Sequence, residues 1–577
     1  MESLKYSEIL KQNAVLAKQV ESFIPYKINI LSNVTCNQLQ DILAFNLRKS
    51  NINPKIRSGN YDNIIQDSFN CADVQLVVIH YDLVNIIDKC DNFIETYSDN
   101  QIDSLFETIA SEIDLIIGNL KLVPAIIFNT FTSFGIYLNA LMPSKTELLS
   151  NKLNEYIYSK SETNLHILDI NAVIARVGLS NSFDFRMYYL SKTLYTIPFW
   201  KEYAYELSTI VYRFTGKLKK AIIFDCDNTL WKGILGEDGI SGIDMSAQSK
   251  VGQIYNKVQQ IAVWLSNQGV IIGLCSKNNA EDVEKVLEEH VDLKLKNENL
   301  VICKINWNDK ASNLREISQE LNIGLDSLVF IDDSSFEVNL IKEQIPEILT
   351  MQVPVTIHEY PSQLLRLIER HFYLSGNSHD IEKTNQYKAQ SQRVEELNKH
   401  QSLADYLSSI KIEIEIKVND VTQIDRIAQL TQKTNQFNLT TKRYTENQIE
   451  LFMNNDNDRV FSISVRDRFG ESGLTSVCIT HNNSNDIVSI DSFLMSCRIM
   501  GRNIEHAIIN YIILTHEQNG YKVIEAAYYP TNKNKPVNNF YEESGFSIIN
   551  EDESFKHYQL KIIDYKPYNV EYIKIKN

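Results

Sequence analysis

A chain of 577 residues is too long for one hydrophobic core, and at roughly 100 to 200 residues per domain it calls for three or four. Its 44% hydrophobic and 10% aromatic content is that of a globular protein throughout. The formal net charge of -16, with no cluster of Lys and Arg, argues against a nucleic-acid partner, because phosphate backbones are held by clustered cations.

The opening stretch MESLKYSEILKQNAVLAKQV mixes charged and apolar residues at helical spacing and lacks the unbroken apolar centre of a secretion signal. No run of about 18 apolar residues follows, so no membrane span is expected and a cytoplasmic protein is. Cysteines 36, 71, 90, 226, 275, 303, 478 and 497 stand singly, without the paired spacing that zinc needs, and read as buried thiols. From Tyr26 to about Pro198, strand-length apolar runs (YKINILSN, VQLVVIHYDL, LVPAIIFNTF, LHILDI) alternate with amphipathic stretches, which predicts an α/β block over 1–217 with a mostly parallel sheet. A second α/β block, 218–373, has predicted strands KKAIIFD, VIIGLCS, VICKI and SLVFIDD. Between the first two, Val251, Ile254, Tyr255, Val258, Ile261, Ala262 and Leu265 recur at steps of three and four, the stripe of a helix packed on the sheet. Residues 374–409 are polar and helix-prone, a helical connector. The third block, 410–577, opens with KIEIEIKV, whose alternation predicts a half-exposed antiparallel strand. A helix near VTQIDRIAQLTQ, strands near VFSISVRD, LTSVCITH and IVSIDSFLMS, and a helix at NIEHAIINYIILTHEQNG follow.

The second block carries the chemistry. Ligands of parallel sheets sit at the carboxyl ends of the strands, and there the sequence places Asp225 and Asp227 after the first strand and Ser276 after the second. Lys310 begins a helix, and Asp332 and Asp333 end a later strand. Mg²⁺ takes hard oxygen ligands and keeps several waters, so Asp225, Asp332 and Asp333, with Asp227 beside them, suffice as a metal set. Asp225 is the expected nucleophile toward a phosphorus atom and Asp227 the expected proton donor and acceptor. Ser276 and Lys310 would hold the phosphoryl oxygens. Cys226 and Cys275 alternate away from these residues and are expected under the sheet.

The order strand-DxDxT, strand-Ser, Lys, strand-DD resembles the haloacid dehalogenase (HAD) superfamily. The longer segments DCDNTLWKGILGEDG, LCSKNN, INWNDKASNLREISQELNIGLDSLVFIDD and LTQKTNQFNLTTKRYT look like the FkbH-like proteins, HAD subfamily IIIC. That resemblance spans about Leu218 to Phe546 and implies a Rossmann-like core with little cap, Mg²⁺, and an aspartyl-phosphate intermediate. It also implies a small phosphorylated metabolite as substrate. In the best-understood members 1,3-bisphosphoglycerate supplies a glyceryl thioester on an acyl carrier protein.

In the third block, SCRIMGRNIEHAII places Arg498, Gly501 and Arg502 ahead of a helix, and YYPTNKNKPVNNFYEESGF supplies Asn532, Tyr541, Gly545 and Phe546. These resemble the pyrophosphate loop and a later stretch of GNAT acyltransferases, an α+β fold whose ligand would be coenzyme A or a phosphopantetheine arm. Asn503 stands where that family carries Gly or Ala and would crowd a pyrophosphate. The first block is distantly similar to SGNH-type hydrolases. At the matching Gly-Asp-Ser element this chain has Ser32, Asn33 and Val34, and the late stretch with Asp184 and Arg186 offers no His, so a domain without hydrolase activity is expected. The expectation is thus an α/β multidomain enzyme, a HAD-type phosphatase or phosphotransferase. Two readings stand beside it: a GNAT-type acyltransferase with an auxiliary HAD domain, and a non-catalytic assembly protein of a polysaccharide or polyketide pathway.

Overall fold

The computed structural model describes residues 4–576 apart from 72, 134–142, 161–163, 373–392, 394–395, 397–402, 485 and 532. Of the connector expected at 374–409, only Arg393, Glu396 and Leu403–Ser409 are described, all helical; the rest lies outside the described residues. The chain forms two compact units, 1–214 with Arg443–Leu451, and Thr215–Lys442 with Phe452–Asn577.

The first unit is built on five parallel strands in the order β2-β1-β3-β4-β5: β1 Pro25–Ser32, β2 Asn53–Ser58, β3 Leu76–His80, β4 Ile126–Asn129 and β5 Leu165–Leu168. β3 and β4 are buried along their whole length, as a sheet covered on both faces requires. Side chains alternate between two cores. Ile28, Ile30, Leu76, Val78 and Ile127 meet the helices Asn37–Lys49 and Ile197–Thr215, while Val77, Ile79, Ile126 and Phe128 meet Asp99–Asn119 and Lys145–Tyr158. β2 carries Pro54 and lies at the sheet edge, where the missing N–H costs no ladder bond.

The second unit holds two sheets. Five parallel strands run in the order β10-β9-β6-β7-β8: β6 Ala221–Phe224, β7 Ile271–Ser276, β8 Ile302–Ile305, β9 Leu328–Asp332 and β10 Leu349–Gln352. The predicted stripe lies on the helix Gly252–Asn267. Its Tyr255, Val258, Ile261, Ala262 and Leu265 pack on Ile222, Phe224, Ile272 and Leu274, the burial of each Val, Ile or Leu being worth roughly 1.5–3 kcal/mol. The opposite face meets the helices Lys310–Glu320 and Ser335–Gln344 through Leu314, Ile317 and Ile341.

The other sheet is mostly antiparallel and runs β17-β18-β16-β15-β14-β13-β11-β19, with β12 paired to β15. Its strands are β11 Glu413–Val418, β12 Phe437–Asn438, β13 Asp458–Asp467, β14 Gly470–Asn482, β15 Ile487–Met495, β16 Val523–Tyr528, β17 Ser547–Asp552, β18 Phe555–Lys561 and β19 Lys574–Lys576. β11 shows the expected alternation, with Ile414 and Ile416 buried between exposed charges. Six of the eight cysteines are buried; Cys303, on the edge strand β8, is exposed and Cys90 is half-buried. Among the described residues no helix is long and apolar enough to cross a membrane.

Candidate active site

β6 ends on Phe224, and the next backbone amide, that of Asp225, donates to Ile331 O of β9 at 2.9 Å. This fixes Asp225 at the carboxyl edge of the sheet beside Asp332. Lys310 reaches the same point from the first turn of its helix, which Asp309 caps by accepting from Ser312 N at 2.9 Å. The Lys310 ammonium donates to Asp225 Oδ1 and to Asp332 Oδ2, both at 2.7 Å. All three side chains are nearly removed from water, with 4%, 5% and 0% of Lys310, Asp225 and Asp332 exposed.

The charges do not balance. Carboxylate oxygens of Asp225, Asp332 and Asp333 lie within 4.8 Å of one another, facing one ammonium. Burial pushes the Asp225 carboxyl up to about 7; Lys310 works against that and Asp332 adds to it. Asp333, half-buried, is raised by burial and then by Asp332. Burial works against the Lys310 ammonium, yet the pull of Asp225 and Asp332 prevails and raises it above the ordinary lysine range. The two partners of the Lys310–Asp225 pair thus shift in the same direction, where a simple ion pair would lower the acid. Burial is the main cause for Asp225, and the charge of Asp332 beside it adds to the shift. With all three acids ionised, the cluster carries two uncompensated negative charges, and three hard oxygens around one point match the needs of a divalent cation such as Mg²⁺.

Asp227, read from the sequence as a further ligand, does not share that oxygen cluster. Its Oδ1 accepts from Trp231 Nε1 and from Leu235 N at 3.0 Å, and its Oδ2 from Asn278 Nδ2 at 2.9 Å. The intervening turn places Asn228 in the left-handed region at φ 51, its Oδ1 accepting from Gly233 N at 3.0 Å. Asn278 Nδ2 also lies 3.3 Å from Ser276 Oγ and so ties β7 to Asp227. Ser276 is buried at the end of β7, where its hydroxyl helps stabilise the Asp225 carboxylate. Lys277 turns away, to Glu337 Oε1 at 2.7 Å. Cys226 and Cys275 are fully buried, and burial raises both thiols. Sequence reasoning missed Trp231 and Asn278, although each sits inside a quoted motif. Their bonds to Asp227 form only once the loop after β6 has turned through Asn228, which no local pattern announces.

The other predicted residues meet different fates. Arg502 and Arg498 of the third block are buried; Arg502 Nη1 donates to Asp467 Oδ2 at 3.1 Å and Nη2 to Arg498 O at 2.7 Å, while Arg498 Nε donates to Ser496 Oγ at 3.1 Å. Gly501 has φ 77, and Asn503, left-handed at φ 58, precedes the helix Ile504–Gln518. Tyr541 is buried and its hydroxyl has no hydrogen-bond partner among the described residues; Gly545 has φ 84, Phe546 is buried, and Asn532 lies outside them. In the first block, Ser32 Oγ accepts from Val34 N at 3.1 Å and Val34 is core. Asp184 is spent as a helix cap, accepting from Met187 N at 3.0 Å, and Arg186 is exposed. His80 pairs in register with Ser32, but its ring is enclosed by Tyr195, Trp200 and Tyr203 and neither nitrogen has a hydrogen-bond partner among the described residues.

No protein-family model matches the sequence, and no curated protein matches it significantly. Solved structures do. The N-terminal part of the Bacteroides fragilis protein BF1531, containing a phosphatase domain complexed with Mg, is 22% identical, with a TM-score of 0.56, 64% of this chain and 99% of that one being covered. At that identity the likeness is one of fold. The Campylobacter jejuni N-acetyltransferase PseH in complex with acetyl coenzyme A is 17% identical over 20% of this chain and 74% of its own, with a TM-score of 0.16. A putative GNAT-family acetyltransferase from Desulfovibrio desulfuricans is 11% identical over 26% and 99%, at 0.21. Superpositions as limited as these two carry no functional weight.

Proposed function

We propose that the second block is a Mg²⁺-dependent phosphatase or phosphotransferase acting on a small phosphorylated metabolite through an aspartyl phosphate on Asp225. The observation that carries this reading is the Lys310 ammonium held between Asp225 and Asp332 beside a third acid, an anionic cluster in need of a divalent cation. The fold likeness to a phosphatase domain complexed with Mg supports it. Asp225, Asp332 and Asp333 would hold the ion, which supplies positive charge toward the phosphoryl oxygens.

The chain's own residues do the rest. Lys310 engages Asp225 Oδ1, so the other carboxylate oxygen attacks phosphorus; the new bond is Asp225 O–P and the broken one is P–O of the leaving group. Asp227 gives the leaving oxygen its proton and afterwards takes one from the water that cleaves the acyl phosphate. Trp231, Asn278 and Leu235 N hold its carboxylate in one orientation for both transfers. Ser276 and Lys310 donate to the phosphoryl oxygens as their charge grows. The resemblance to FkbH-like proteins extends the reading to transfer of the acyl part onto a carrier protein.

Rapid quench with a labelled phosphorylated substrate tests the scheme. A phosphoryl group on the peptide bearing Asp225, absent from Asp225→Asn, is the expected result, and turnover with no phosphoenzyme in the wild type would discard the covalent route. The mass of a holo carrier protein in the same assay reads out acyl transfer.

A further inference from the structure

β15 and β16 are parallel and paired from Ile487 opposite Val523 to Ile490 opposite Ala526, where the pairing stops although both strands continue. A parted strand pair leaves main-chain N–H and C=O groups without partners, and these act as a template for an added extended chain. A pantetheine arm, with its two amides, is such a ligand, and the GNAT resemblance would place it here.

The opening is already filled by the chain itself. β12 runs antiparallel to β15, with Phe437 opposite Met495 and Asn438 opposite Leu494. Leu439 N donates to Phe493 O at 3.1 Å, and Thr440 Oγ1 to Asp491 O at 3.0 Å. On the other side Tyr529 N donates to Leu439 O at 2.9 Å and Asn534 Nδ2 to Asn438 O at 3.0 Å. Phe437, Asn438 and Leu439 are 2%, 0% and 0% exposed, and Phe437 packs edge-on against Phe493 and Phe540. The segment therefore takes the hydrogen bonds and the apolar volume that an added ligand would need.

A second, independent feature agrees. Arg502, the cation expected to meet a pyrophosphate, is buried with its Nη1 on Asp467, whose carboxylate also accepts from Arg393 Nε at 2.8 Å and Nη2 at 2.9 Å, and its Nη2 on Arg498 O. Asn503 Nδ2 donates to Tyr572 Oη at 2.8 Å. Cys497 and Met500 of the same loop pack into the core of the second block, and Asn322 Nδ2 donates to Cys497 O. The loop that resembles a phosphate site is instead occupied in holding the third block to the second.

We propose that the opening between β15 and β16 takes neither coenzyme A nor a carrier-borne phosphopantetheine, because Phe437–Thr440 is its permanent occupant. Calorimetry of the full chain with coenzyme A, acetyl coenzyme A and free phosphopantetheine, combined with hydrogen exchange read by mass spectrometry over 437–441, 491–495 and 527–531, tests this. The expected result is slow exchange at 437–441 that none of the three ligands alters, whether or not weak heat is seen from a site elsewhere. Saturable binding that speeds exchange at 437–441 or adds protection at 491–495 would overturn the proposal, since it would show the segment displaced by the arm. Neither readout depends on phosphoryl transfer by the second block.

Discussion

The first unit and the second each build a five-stranded parallel sheet, and their carboxyl edges were given opposite electrostatic fates. At the edge of the first, Asn33, Asp82 and Tyr195 bond to one another, while His80 is walled in by aromatic rings with no hydrogen bond among the described residues. Asn33 Nδ2 donates to Asp82 O at 2.8 Å while Asp82 N donates to Asn33 Oδ1 at 2.7 Å, and the buried Asp82 carboxylate accepts from Tyr195 Oη. At the edge of the second, three acids crowd one lysine and remain short of positive charge. One shared architecture thus carries a small hydrogen-bonded polar cluster in one unit and a crowded anionic cluster in the other.

Variants can break or sharpen that contrast. Asp225→Asn gives the largest effect: phosphate release falls to background because an amide is a poor nucleophile, while urea denaturation without metal shows stability at least equal to wild type, one like charge having been removed. A variant that keeps turning over would remove Asp225 from the chemistry. Lys310→Met leaves two buried carboxylates without their cation, which costs about 3 kcal/mol in metal-free denaturation. Added Mg²⁺ then stabilises this variant more than the wild type; equal stabilisation would mean that the acids do not hold the ion.

In the first unit the same class of experiment yields stability effects alone. Asn33→Ala strips both bonds from the Asp82 backbone, at about 2 kcal/mol, and leaves phosphate release unchanged. The smallest effect is a pH effect at His80. Burial pushes its imidazole down to about 3, so below pH 6.5 the unfolded chain binds a proton that the folded one refuses. Stability is lost as pH falls, by roughly 1 kcal/mol between pH 7.5 and 5.5, and His80→Phe removes that part of the slope. An unchanged slope in His80→Phe would show the ring accessible to protons in the native state.

The parallel sheets were legible because a strand covered on both faces must be apolar throughout, as AIIF and LVVIH are. Asp225, Lys310 and Asp332 were legible for a related reason, since strand ends and a helix start fix where their side chains emerge. Trp231 and Asn278 were not, because their bonds to Asp227 depend on how the loop after β6 turns through Asn228. Long-range pairings were equally hidden. Nothing local to Arg502 tells that it donates to Asp467, 35 positions away, and a two-residue strand such as β12 has no periodicity to read. His80 was passed over because a lone histidine shows neither its register with Ser32 nor the aromatic rings around it.

Mg²⁺-dependent phosphate release from a panel of small phosphorylated metabolites, 1,3-bisphosphoglycerate among them, compared between the wild type and Asp225→Asn, tests the central claim most directly. Release from at least one substrate by the wild type only, abolished by chelation of the metal, is the expected result. Equal release by both proteins, or none from any substrate by the metal-loaded wild type, would contradict it.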